Sequence, residues 1–228
     1  MGLKESGLRG SLRNVSVGIV AIPDPDVYLN DDWGDNKLQD REDSDTTTHN
    51  GVEGVYRPEW TLDEGSPSAS NQTLQLDSGD AVRTGITLAL SETVPWQWTG
   101  VEFPATDAAG DTVTLQLWAE STTRDTQGFG LPLQSGYFIQ LRDSSPEVRL
   151  IEMDSSGNTS ELITGSATAG SGFDLSVTRS SDGGFELFVE GSIQGTSTDT
   201  THTDPQYFSF GTRSGTDASL TVSEVKIN

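Results

Sequence analysis

Three aromatic residues stand where a β-rich chain normally places groups that face water. Trp118 shares the polar phase of its run with Thr114 and Gln116, Phe138 shares one with Gln140 and Arg142, and Phe188 shares one with Glu186 and Glu190. A flat ring covers the apolar C–H face of a sugar while amides and a guanidinium bind its hydroxyls. Trp118, Gln116, Phe138, Gln140, Arg142 and Phe188 are therefore the candidate glycan-binding set. The alternative is that these rings meet an apolar layer from a loop, the N-terminal residues or a neighbouring subunit. Trp96 and Trp98, in Pro95-Trp96-Gln97-Trp98, pose the same choice between core and platform.

Other chemistry is sparse. The cluster Asp31-Asp32-Trp33-Gly34-Asp35-Asn36 gathers oxygens of the kind Ca²⁺ accepts, so Asp31, Asp32 and Asp35 are candidate cation ligands, although the spacing is not that of a helical calcium loop. Beyond Ca²⁺ or another cation there, no cofactor is expected. Cysteine is absent, which excludes disulfides, thiol catalysis and Cys-based zinc sites. The two histidines, His49 and His202, lie far apart, and neither accompanies a nucleophile signature such as Gly-x-Ser-x-Gly. His202, in Thr200-Thr201-His202-Thr203-Asp204, reads as a solvated loop histidine.

The elements that must position these groups are strands. Val113, Leu115, Leu117 and Ala119 alternate with polar neighbours, as do Tyr137, Ile139 and Leu141, then Phe173, Leu175 and Val177, then Phe185, Leu187 and Val189. Turn signals such as Ser155-Ser156-Gly157-Asn158 and Ser181-Asp182-Gly183-Gly184 separate the runs, and no helical period is apparent. The fold expected is all-β, a two-sheet antiparallel jelly-roll sandwich over residues 59–228. Residues 1–58 are expected to form an extended N-terminal arm with little regular structure. Between Asp24 and Glu64 the chain has 13 acidic and three basic residues with few aliphatic ones, too little apolar surface to offset its own chain entropy. The apolar run from Val15 to Ile22 is short for a signal peptide and is read as retained structure.

The order Gly136-Tyr137-Phe138-Ile139-Gln140-Leu141, Val148-Arg149-Leu150-Ile151, Gly172 to Arg179, Gly184 to Gly191 and Ser219 to Val225 resembles the concanavalin A-like lectin/glucanase jelly roll, whose strand order laminin-G-like domains share. Some members of that group are glucanases with two glutamates on one catalytic strand. The corresponding string here, Glu152-Met153-Asp154-Ser155-Ser156-Gly157, ends in Gly, so the second carboxylate is missing. Glu152 then reads as a strand-end acid and Asp154 as a turn former. A glycoside hydrolase would have to recruit Glu186 or Glu190 instead, and no enzymatic activity is expected. The segment Lys4 to Arg13 with the valine-rich stretch after it resembles leaders of virion proteins from haloarchaeal tailed viruses.

Charge frames the partners. Thirteen Lys and Arg against 35 Asp and Glu give a net charge of −22, which argues against nucleic acid, and no apolar run is long enough for membrane insertion. Ten of the thirteen bases are Arg, a balance suited to high salt. The combined expectation is a structural protein of a halophilic virion surface, a spike, turret or tail-fibre module. Its arm would bind other virion proteins, its jelly roll would face outward to a host glycan, and the assembly would be a homo-oligomer. A free-standing carbohydrate-binding module is the alternative. Lowering salt from molar to about 0.1 M lengthens the Debye screening distance from about 3 to about 10 Å, so the protein should lose near-ultraviolet circular dichroism over that range. An unchanged signal would refute the halophilic reading.

Overall fold

A computed structural model describes residues 28–41, 45–49, 52–103, 112–126, 129–142 and 147–228. Among these residues there are eighteen strands and no helix. They are β1 (Leu29–Asp31), β2 (Asp45–His49), β3 (Val52–Tyr56), β4 (Thr61–Glu64), β5 (Ser68–Ser70), β6 (Thr73–Leu76), β7 (Ala81–Gly85), β8 (Val94–Val101) and β9 (Thr112–Ala119). The second half holds β10 (Gly136–Arg142), β11 (Glu147–Met153), β12 (Thr159–Ser166), β13 (Phe173–Arg179), β14 (Gly184–Val189), β15 (Ser192–Thr198), β16 (Tyr207–Thr212), β17 (Leu220–Val222) and β18 (Glu224–Ile227). A six-stranded sheet, β1-β18-β8-β13-β14-β15, packs on a seven-stranded sheet, β12-β11-β10-β9-β16-β7-β4. The strand pairs are antiparallel, and the chain is the all-β sandwich that the alternation predicts.

Period-2 patterning explains which side chains meet. Leu175 and Val177 of β13, Leu187 and Val189 of β14, and Trp96 and Trp98 of β8 point inward together. Trp96 and Trp98 are therefore core residues. Trp96 stacks across the sandwich on Trp118 at 5.5 Å, Trp118 on Phe185 at 6.3 Å, and Trp98 on Phe208 at 6.3 Å. Rings in offset stacks bury large apolar area and fix their neighbours' orientation, so this aromatic column sets the spacing of the two sheets. Along one side the sheet edges β12 and β15 adjoin, where the Ser166 amide donates to Gln194 Oε1 at 3.2 Å.

The arm expected over 1–58 is corrected in its second half. Leu29 to Asp31 pair with Ile227 to Val225, and Tyr28, Leu29, Trp33 and Leu38 are buried in the main core. Composition hid this because it does not show that Arg41 pairs with Asp31 and Asp35 inside the fold. Arg41, its side chain fully enclosed, donates through Nη1 and Nη2 to Asp31 at 2.5 and 2.9 Å and through Nε and Nη2 to Asp35 at 2.9 and 3.0 Å. Trp60 Nε1 donates to the same Asp31 carboxylate at 2.7 Å. Burial disfavours the charged guanidinium of Arg41, but Asp31 and Asp35 outweigh it and hold its pKa above the ordinary range. The leader residues 4–13 lie outside the described residues.

Breaking a buried pair leaves one charge desolvated and unpartnered. Arg41→Met should cost about 3–5 kcal/mol of unfolding free energy in urea titrations. Adding Asp31→Asn to it should return a large part of that loss.

Candidate functional site

The outer face of the seven-stranded sheet is where the sequence places five of its six glycan-binding candidates. The described residues 120–126 and 129–135 lie across that face as a strap. Gln116, fully buried, donates through Nε2 to the Leu133 carbonyl at 2.6 Å and accepts at Oε1 from the Leu133 amide at 2.8 Å and the Ser209 hydroxyl at 2.8 Å. Thr114 donates to the Phe129 carbonyl, and Arg124 joins Asp63, which also binds Arg83. At its closest point the strap backbone lies against β16: a Cβ on Gly211 would overlap the Gly130 carbonyl oxygen, so this approach requires glycine.

Four of the candidates are therefore corrected, each for a different reason. Trp118 faces the core because Tyr137 pairs with Trp118 while Phe138 pairs with Gln116. Leu117 is thus an extra residue in a β-bulge that reverses the alternation. Phe138 does lie on the outer face, but Phe129 of the strap covers it at 6.1 Å, and with Ile151 and Met153 they form a second apolar cluster. Gln116 is spent on the strap, as described. Gln140 is buried beside Arg149 and Thr114. Arg142 stays half-exposed at the rim, 3.5 Å from Glu147.

The cation candidates are also reassigned. Asp31 and Asp35 hold Arg41, while Asp32 accepts the Gly34 amide at 3.0 Å and lies 3.6 Å from Arg57. No group of three or more His, Cys, Asp or Glu side chains arranged to hold a metal occurs among the described residues.

Phe188 alone among the six lies on the outer face of the other sheet. The register there aligns Lys226, Gln97, Ser176, Phe188 and Ile193 in one row across five strands. Phe188 is half-buried, Gln97 is exposed, and Ile193 is 55% exposed, so an apolar step sits beside an amide and a hydroxyl. A hollow of about 220 Å³ lies on one side, lined by Gln97, Thr99, Asp174 and Ser176. Toward the far ends of β14 and β15 a larger one of about 590 Å³ is lined by Thr93, Thr178, Ser180, Thr196 and Thr198, with Glu186 as its carboxylate. Hydroxyls dominate that lining and supply both donors and acceptors.

Sequence reasoning missed a polar cluster at the end of the sandwich. His202 is not solvated: it is 5% exposed, with Nδ1 3.3 Å from Glu120 Oε2 and Nε2 2.9 Å from Glu152 Oε1. The amides of Thr203 and Asp204 donate to Glu120 Oε1 at 2.9 and 3.1 Å. The Tyr137 hydroxyl donates to Asp199 and accepts from the His202 amide. Burial and the Asp199 carboxylate together push the Tyr137 phenol above its usual range. Burial raises Asp199, but the Tyr137 hydroxyl and the Thr201 amide outweigh it and hold the carboxyl below the usual range. Arg179 lies over the faces of Trp118 and Phe185, at 5.7 and 5.9 Å from the ring centroids. Glu152, Tyr137 and Glu120 lie 50, 65 and 82 residues from His202, so no local motif could reveal them. Glu152 is committed to His202 inside the sandwich, whereas Glu186 lines a hollow on the opposite sheet and Glu190 accepts the Asp174 amide at 2.7 Å. These acids do not converge on one cleft. Asp154 closes a turn by accepting the Ser156 and Asn158 amides, as a turn former should.

No protein-family model matches the sequence, and no curated protein matches it. Solved structures match by shape. The potassium-bound carbohydrate recognition domain of Emp46p superposes with a TM-score of 0.55 at 13% identity, covering 74% of this chain and 87% of that one. The carbohydrate-binding module CBM66 from Bacillus subtilis gives 0.50 at 10% identity over 72% and 91%. The binding domain of botulinum neurotoxin serotype D gives 0.59 at 12% identity over 89% of this chain and 48% of that one. The likeness is one of fold, a lectin-like β-sandwich.

Two measurements probe the end cluster. His202→Ala leaves Glu120 and Glu152 facing one another; with Glu120 partly exposed, the loss should be about 2 kcal/mol in urea. Because the Asp199 carboxyl is depressed in the folded state, its contribution is present above the unfolded value of about 3.9 and disappears as pH falls through the folded value. Asp199→Asn should therefore be less stable than the parent at neutral pH, and the gap should close in acid.

Proposed function

We propose that this chain is a non-catalytic carbohydrate-binding module that works through the outer face of its six-stranded sheet. The observation that carries the reading is Phe188, a half-exposed ring on a polar sheet face, flanked by Ser176 and Ile193 in its row and by the exposed Gln97 one strand further on. The ring packs against the C–H face of a pyranose or furanose, Gln97 and Ser176 bind its hydroxyls, and the threonine-lined hollow extends the site along the chain of a longer saccharide. A fold shared with a carbohydrate recognition domain and a carbohydrate-binding module supports this assignment. Arg142, on the rim of the other sheet, takes no part in it.

A second reading concerns where such a module acts. We propose display on a virion surface in high salt, as part of a homo-oligomer, with residues 1–27 meeting other virion proteins. The surplus of carboxylates, a net charge of −22, supports the high-salt part of that reading.

Affinity electrophoresis and calorimetry against a panel of polysaccharides in molar salt test the first reading. Phe188→Ala should weaken binding at least about tenfold, or ~1.4 kcal/mol, with the fold unchanged by circular dichroism. Gln97→Ala should weaken it by about 1 kcal/mol. Retention of no polysaccharide, or full binding by Phe188→Ala, overturns the assignment.

A further inference from the structure

Two acceptor sequences for N-linked glycosylation lie in the described residues, Asn71-Gln72-Thr73 and Asn158-Thr159-Ser160, and the structure treats them differently. Asn71 and Gln72 form the two-residue turn between β5 and β6, with Ser70 paired to Thr73 and both turn residues at positive φ, 52° and 59°. Asn71 is exposed, and its side-chain amide has no hydrogen-bond partner among the described residues. The turn is braced from behind through its backbone, where the Gln72 amide donates to Asn36 Oδ1 at 2.8 Å. The Thr73 hydroxyl donates to the Asn71 carbonyl at 3.3 Å, so the third residue of the acceptor sequence stays beside the first. Asn158 is exposed too, but its amide is occupied: Nδ2 donates to Asp154 Oδ2 at 2.8 Å, and its backbone N–H and C=O both bind Asp154. The Asn158 side chain, with the backbone amides of Asn158, Ser156 and Gly157, holds the Asp154 carboxyl below its usual range.

We infer that Asn71 is an N-glycan acceptor and that Asn158 is not, because a transferase meets a free, presented amide at the first and a closed side-chain clamp at the second. The donor is a saccharide on a polyprenyl phosphate or pyrophosphate. The Asn71 Nδ2 to anomeric carbon bond forms as the anomeric carbon to phosphate oxygen bond breaks. The lipid phosphate departs, and the amide proton passes to a base of the transferase.

The test is expression of the full chain through a secretory route with N-glycosylation, followed by peptide mass spectrometry with and without peptide N-glycosidase. The Asn71 peptide should carry saccharide and the Asn158 peptide should be bare. Thr73→Ala, which leaves Asn71 and its turn in place, should abolish the modification, and Asn158→Gln should leave it unchanged. A third acceptor sequence, Asn14-Val15-Ser16, lies outside the described residues and is read as a separate peptide. A bare Asn71, or greater occupancy at Asn158, overturns the inference.

Discussion

The guanidinium of Arg41 is enclosed by Asp31, Asp35 and the Pro58 carbonyl, and much of the sandwich is arranged around it. Charge taken out of water must be matched nearly donor for acceptor, and here the matching ties residue 41 to strand β1, to the approach to Trp60 and, through Glu59, to its own backbone N–H. Asp31, on the six-stranded sheet, in turn fixes the Trp60 indole, whose ring packs on Phe208 and Phe210 of the seven-stranded sheet. An electrostatic constraint near the start of the described chain thus reaches the aromatic column between the sheets. In a protein with 35 acidic residues, committing one of the few arginines to the interior marks where neutrality matters most.

The strand runs were legible because each buried face repeats every second residue, and β13 and β14 follow that pattern throughout. Errors arose where something interrupts it. A single extra residue at Leu117 turns Trp118 inward, and no local signal announces a bulge in Leu115-Gln116-Leu117-Trp118. Phe138 lies on the outer face, yet whether an outer face meets water depends on what crosses it, and Phe129, nine residues earlier in the chain, covers this ring. Asp31 and His202 show the same limit for charge: their partners lie ten to eighty-two residues away, and composition around them suggests solvation. Phe188 keeps the half-buried, outward position that the alternation of β14 predicts.

The two sheet faces have opposite fates. On the seven-stranded sheet, Gln116, Thr114 and Gly211 hold a segment of the same chain, so the hydrogen-bonding capacity of that surface is already satisfied. On the six-stranded sheet Gln97 and Ile193 of the corresponding row are exposed, and Ser176 and Phe188 are half-buried. This division is why the proposed ligand surface is the six-stranded face, although five of the six candidates read from the sequence lie on strands of the other sheet.

Pairing β1 with β18 brings Tyr28 and Asn228 to the same end of one strand pair, where the Tyr28 amide donates to the Ile227 carbonyl at 2.8 Å. Tension applied through chain on either side of the sandwich would therefore load these bonds one after another, peeling β1 away, rather than shearing them together. The peeling front would stop at Asp31, where the Arg41 pair begins. The β1–β18 pair thus has a compliant first step and a stiff second one.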